Sequence, residues 1–251
     1  MIAVKFKDMV NKFFGSMSLS IILKFKSILI LFFIYPFFNK AQLGVYSVAL
    51  IISGLLSPLL LMNLMDGSNK FFLKNKSYSK KLELFIKQYT TTAILILLII
   101  FFLLVIFGNI QNNLLYITFY LIFYRMLLKS LIYKYEIFQN LYYTFIINLF
   151  IEFGSLAIIL LYIKNFNDLS IQIIPISLLS LTLIISLFKF RNIYEFSLIN
   201  FIQSWKLFIE PIKVSLNLLP VPYILLLVKS TDVILLNLII GFESNGIYHI
   251  A

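Results

Sequence analysis

"YYTFIINLFIEFGSLAIILLYI", residues 142–163, is the stretch on which the fold turns. At about 1.5 Å of rise per residue its 22 residues can cross the ~30 Å hydrocarbon core of a bilayer as a helix. Apolar and polar side chains do not alternate along it, so it does not read as a half-buried strand or a barrel strand. In hydrocarbon the backbone must satisfy its own hydrogen bonds, and without alternation only a helix does so. Yet Asn148, Glu152 and Ser155 stand inside this run at intervals of four and three, which puts them on one face.

The rest of the chain repeats the pattern. Hydrophobic residues make up 61% and charged residues 12%, with a mean hydropathy of +1.00. Ordinary soluble domains carry about 25% charged residues, so that class is set aside. Seven candidate spans run at 16–38, 44–65, 90–108, 114–135, 142–163, 171–188 and 215–240, and the last residues begin an eighth. The basic "KFKDMVNKFF" leads into a run longer than a signal-peptide core, with no small-residue cleavage site. It reads as the approach to a first span. The chain has no cysteine, which removes disulfides and thiolate metal sites, and no motif for a metal or cofactor is present.

The net charge of +11 is distributed by topology. Lys5, Lys7 and Lys12 precede span one, and Lys70, Lys74, Lys76, Lys80, Lys81 and Lys87 fill the connection from span two to three. Lys129 and Lys134 lie near the next even connection, and Lys189, Arg191, Lys206 and Lys213 between spans six and seven. The opposite connections hold only Lys40, then none, then Lys164 beside Asp168. The positive-inside rule predicts a cytoplasmic N-terminus in a multi-pass plasma-membrane protein, with a secondary attraction to anionic membrane lipids. Nucleic acid is not an expected partner. Segments 70–87 and 193–213 read as cytoplasmic amphipathic helices, the second marking the boundary between two halves.

Polar stripes recur on several spans. Ser16, Ser20, Lys24 and Ser27 share a face of span one, as do Thr118, Arg125 and Lys129 on span four. On span seven, Lys229 and Asp232 stand three residues apart. Each charge at bilayer centre costs about 2.5–3.5 kcal/mol on insertion scales. Facing lipid, Lys24, Arg125, Glu152, Lys229 and Asp232 would together cost on the order of 12–18 kcal/mol. The stripes therefore predict a central polar cavity lined by spans one, four, five and seven. Two packing alternatives stay open: Lys229 and Asp232 neutralising each other, and Arg125 or Lys129 pairing with Glu152 between helices. Lys129 also fits a side chain that snorkels to the interface. Lys24 and Arg125 leave the cavity net positive, which suits an anionic passenger.

A short repeat gives the organisation. Gly44, Val45, Tyr46, Val48 and Ala49 are matched by Gly246, Ile247, Tyr248, Ile250 and Ala251, 202 residues later. Six spans separate the two segments. An even number keeps the orientation, so the repeat is parallel, about an axis along the membrane normal.

"FFNKAQLGVYSVALIISGLLSPLLLMNLMDGSNKFF", 37–72, resembles the first loop and second helix of the polysaccharide-precursor flippases, which move O-antigen and other lipid-linked oligosaccharides. That family belongs to the multidrug/oligosaccharidyl-lipid/polysaccharide exporter superfamily. The family pattern L-G-x-Y-[SG] is met at 43–47, and Asp66, Lys70 and Phe71 occupy its acidic, basic and aromatic close, with Lys where Arg is common. "SLNLLPVPYILLLVKSTDVILLNLIIGFESNGIYHIA", 215–251, resembles the same family's seventh helix through Leu219, Pro220, Thr231, Asp232, Gly241, Gly246 and Tyr248. Val233 departs from the usual Arg. The two matches cover about 70 residues.

The resemblance implies an all-α polytopic membrane protein: one six-helix lobe of a two-lobe, parallel-repeat transporter, plus the first helix of the second lobe. Residues 1–192 would form the first lobe, 193–213 the linker, and 214–251 the start of a truncated second lobe, a fragment lacking roughly another 150 residues. The implied substrate is a polyprenyl-pyrophosphate-linked glycan, moved to the outer leaflet for surface polysaccharide biosynthesis as the lobes alternate access. Lys24, Arg125 and Lys229 would neutralise the pyrophosphate. Hydroxyls such as Ser20 and Ser27 would hydrogen-bond sugars, and Glu152 or Asp232 would couple transport to H⁺ or Na⁺. No reaction is catalysed on this reading. The rivals are a drug or ion antiporter of the same superfamily, an inactive remnant, and a membrane glycan polymerase. The last is disfavoured by non-cytoplasmic connections too short to carry a catalytic set.

Overall fold

The computed structural model describes residues 34–60, 93–94, 96–103, 113–137, 141–166, 170–190, 209–218 and 220–241. Among these every regular element is helical. The helices are α1 (Lys40–Leu60), α2 (Asn113–Ile137), α3 (Leu141–Asn165), α4 (Ile173–Phe190), α5 (Ile209–Leu218) and α6 (Pro220–Ile239), preceded by a 3-10 turn at Tyr35–Phe37. Residues 96–103 form a further helical stretch. Three helices are long and apolar enough to cross a membrane, over Lys40–Pro58, Asn113–Ile132 and Tyr143–Asn165. Ile173–Leu187 is apolar but shorter. The expected third span, 90–108, is described only in part, and most of the first lies outside the described residues.

Local chemistry sets where α1 begins. Asn39 Oδ1 accepts the Gln42 backbone N–H at 2.7 Å, and Gln42 Oε1 accepts the Asn39 backbone N–H at 3.2 Å. This is a reciprocal capping box, with Asn39 as the cap. Phe38 and Leu43, before the cap and four residues into the helix, are both buried in the same cluster, as a hydrophobic staple requires. The helix thus starts at Lys40, a full turn before residue 44, where the apolar run alone placed it. The Gly44–Tyr46 segment lies inside the helix rather than at its mouth. The first span was likewise expected to run to 38, but its described end, Tyr35–Phe37, is a 3-10 turn containing Pro36. Asn39→Ala should cost about 1 kcal/mol of stability, measurable by thermal unfolding in detergent. An unchanged midpoint would mean that packing alone fixes this end.

At the other end of the chain, the seventh span, expected as one run over 215–240, is helical over Ile209–Leu218 (α5) and Pro220–Ile239 (α6), the residue between them lying outside the described residues. Of the segment 193–213, expected to be an amphipathic helical linker, residues 209–213 are described and are helical. Gly241, at φ +98, follows α6 and stops it in the left-handed conformation that glycine tolerates best.

The bundle is organised around α2, which packs against α1, α3 and α4, while α4 also packs on α3 and α6 lies against α1. Ile34, Phe38 and Leu43 share one buried cluster with Ile117 and Leu121 of α2, Leu156 and Ile159 of α3, and Ile171 and Ile174 near the start of α4. The beginnings of α1, α2 and α4 and the end of α3 therefore gather at one end of the bundle. There Gln172 Nε2 donates to Asn113 Oδ1 at 3.0 Å, joining the starts of α4 and α2. Phe101, from the stretch 96–103, packs its ring on Tyr116 and Phe119 of α2. Outward-facing side chains such as Phe150, Leu161, Leu187 and Val228 are exposed apolar groups, as lipid contact demands.

Candidate functional site

The polar content of this greasy bundle converges where α1, α2 and α3 meet. Successive residues on a helix point about 100° apart, so Tyr124 and Arg125 of α2 serve different neighbours. Tyr124 turns to α3, where its hydroxyl donates to Glu152 Oε1 at 3.0 Å. Both side chains are buried, at 8% and 6% exposure, so this hydrogen bond lies in an apolar setting. Arg125 turns to α1 instead. Its guanidinium lies so close to Gly54 that a Cβ there would stand 2.7 Å from Nη1. Arg125 is partly buried. Among the described residues it forms no ion pair, its electrostatic neighbours being Tyr46 and Tyr124. Tyr46 of α1, 6% exposed, faces both Arg125 and Glu152.

Depth follows from helix rise. Arg125 stands twelve residues into α2, Gly54 fourteen into α1, and Glu152 thirteen from the end of α3. At 1.5 Å per residue all three lie roughly 20 Å from the same end of the bundle, within a ~30 Å hydrocarbon core. A cation and a carboxylate at that depth, turned to different helices, are what the insertion cost of a charge would remove if neither had a use.

One expectation about this region needs correcting. Arg125 was one candidate partner for Glu152 across the helix pair, but the carboxylate takes Tyr124 and the guanidinium takes Gly54. The pairing fails because neighbouring positions on α2 cannot both point at α3. The described Ser and Thr hydroxyls near this site donate to their own helices, while Ser20 and Ser27, the hydroxyls named for the sugar, lie outside the described residues. Thr118 donates to Leu114 O at 2.7 Å, Ser155 to Glu152 O at 2.8 Å, and Ser47 to Leu43 O at 2.9 Å. Such bonds to the carbonyl three or four residues back are how a hydroxyl satisfies itself in an apolar helix. Asn148 follows suit, donating to Thr144 O at 2.8 Å. Thr144 Oγ1 is the buried side-chain oxygen left without a partner among the described residues. It continues the Asn148–Glu152–Ser155 face by one turn.

The structure brings together only some of the sequence-derived site. Arg125 and Glu152 are near the same depth, flanking Tyr124. Asp232 lies exposed on α6 and Lys129 exposed on α2. Ser20, Lys24, Ser27, Asp66, Lys70 and the side chain of Lys229 lie outside the described residues. Three residues of the cluster went unrecognised as site residues: Tyr124, Tyr46 and Gly54. Tyr46 was read only as a repeat marker, and α1 was not among the helices expected to line the cavity. A usable signal was present in α1, where Gly54 sits mid-helix four residues before Pro58. Comparison with protein-family models, curated proteins and solved structures finds no match to this chain.

Proposed function

We propose that this chain serves as part of a flippase that moves a polyprenyl-pyrophosphate-linked oligosaccharide across the cytoplasmic membrane, its cationic interior carrying the anionic head group through hydrocarbon. The observation that supports this reading is Arg125: a guanidinium about 20 Å into an apolar bundle, resting on Gly54, with no carboxylate on it among the described residues. Pyrophosphate oxygens suit a guanidinium fork better than any other common membrane solute, because two parallel N–H donors match two anionic oxygens. The Ser and Thr back-bonds sharpen the reading. Those hydroxyls keep their lone pairs, so along the path they accept hydrogen bonds from sugar hydroxyls rather than donate to them.

The Tyr124–Glu152 pair favours a second component of the same reading, a coupling site for H⁺ or Na⁺. A carboxylate buried in an apolar bundle is the kind of group whose charge a proton or a small cation can neutralise. The same pair is the observation that favours the ion-antiporter alternative.

The test is binding by the purified chain in lipid nanodiscs, with farnesyl pyrophosphate and farnesol as probes. A preference of tenfold or more for the pyrophosphate is expected. Equal affinity for the two would sink the anionic reading. Topology is testable in parallel because the native chain contains no cysteine. A cysteine introduced at Lys7 should be shielded from an impermeant thiol reagent in intact cells, and one at Lys164 should be labelled. The reverse pattern would place the N-terminus outside.

A further inference from the structure

We infer that Gly54 is a positioning residue for Arg125, kept free of a side chain so that the guanidinium is seated against α1. This rests on the reading of Arg125 as the anion-binding group.

Glycine is a poor helix former, so a glycine in the interior of α1 needs a cause. The usual cause in a membrane bundle is close approach of two backbones. That cause fails here. The heavy atoms nearest to a Cβ built on Gly54 are Arg125 Nη1 at 2.7 Å, Cζ at 3.7 Å and Nη2 at 3.9 Å. All three belong to one guanidinium, and no backbone atom is among them.

A second feature converges on the same residue. Pro58 lies inside α1 and has no N–H, so it cannot supply the bond that the Gly54 carbonyl would otherwise accept from four residues ahead. The turn on which the guanidinium rests is thereby bare of a side chain and relieved of one backbone donor. Gly54 forms a seat that holds Arg125 in place with no carboxylate on it among the described residues, and so leaves its charge available to a ligand.

A methyl group at residue 54 would force Nη1 to move, while the other two contacts are ordinary van der Waals distances. Gly54→Ala should therefore weaken farnesyl pyrophosphate binding by about three- to tenfold. Farnesol binding and the unfolding midpoint should not fall. Gly54→Leu should displace the guanidinium and reduce pyrophosphate binding to the level of Arg125→Ala. In the Arg125→Ala background, Gly54→Ala should change binding less than about twofold, because residues in contact are non-additive.

A ligand-free measurement accompanies this one. Gly54→Leu should lower the unfolding midpoint of the chain, and adding Arg125→Ala should recover most of the loss. If Gly54→Leu is equally destabilising in both backgrounds, the glycine serves backbone packing and the inference is overturned. If Gly54→Ala binds farnesyl pyrophosphate as the parent chain does, the positioning role is overturned while the anionic site stands. If the parent chain itself shows no preference for pyrophosphate over farnesol, the proposed function falls, and the unfolding cycle alone decides whether Gly54 is reserved for Arg125.

Discussion

Arg125→Gln should lower the affinity for farnesyl pyrophosphate by about 10- to 100-fold, while the amount of folded protein in the membrane stays unchanged. The magnitude is that of a lost hydrogen bond to a charged group, about 1.5–3 kcal/mol. The retention of fold follows from what Arg125 does not do. Among the described residues no carboxylate depends on it, so removing the charge strands no buried partner. Glutamine keeps part of the bulk over Gly54 and loses the charge and the fork. In cells that rely on this protein for surface polysaccharide, the same variant should abolish the glycan at normal protein abundance. Normal glycan would refute a pathway through Arg125. Loss of both glycan and protein would show that the residue is structural.

The second large effect belongs to stability. Tyr124→Phe removes the hydroxyl that donates to Glu152 Oε1 at 3.0 Å and changes little else in volume. The carboxylate stays buried with one donor fewer, and the expected loss is about 1.5–3 kcal/mol. Glu152→Gln in the Tyr124→Phe background should recover part of that loss, because a neutral amide is less costly to leave under-bonded than a carboxylate. Thermal unfolding of the four proteins in detergent gives the coupling energy of the pair directly. Strict additivity would mean that Tyr124 and Glu152 are neighbours without being partners.

What the sequence could say about this molecule was set by periodicity. The run 142–163 announces a spanning helix, and the spacing of Asn148, Glu152 and Ser155 announces a face. Both follow from 3.6 residues per turn and need no knowledge of the neighbours. The same holds for Arg125 with Thr118. How each helix is rotated against the next is a tertiary matter, decided by side-chain volumes across several helices at once. A stripe can therefore be drawn on α2, but whether α1 or α3 receives Arg125 cannot. The hydroxyls illustrate a different limit. A serine on a polar face looks available, and only the rotamer reveals that Ser155 or Thr118 has turned back to its own carbonyl. The start of α1 was legible and was passed over: Asn39 with Gln42 three residues on is a capping signature, but the apolar run drew the boundary at residue 44.

Read as mechanics, the back-bonded hydroxyls of α4 have a consequence of their own. Ser177, Ser180, Thr182 and Ser186 all donate within the helix, to carbonyls three or four residues back. Among the described residues, α4 carries no polar bond to another helix along its length. Just before its first turn, Gln172 is fastened to Asn113. A rod pinned at one tip and held elsewhere only by shape is a lever on a pivot. Swinging it breaks no hydrogen bond, whereas twisting α2 against α3 breaks the bond between Tyr124 and Glu152. Along its length α4 is held by apolar packing alone among the described residues, whereas α2 and α3 share the buried Tyr124–Glu152 bond.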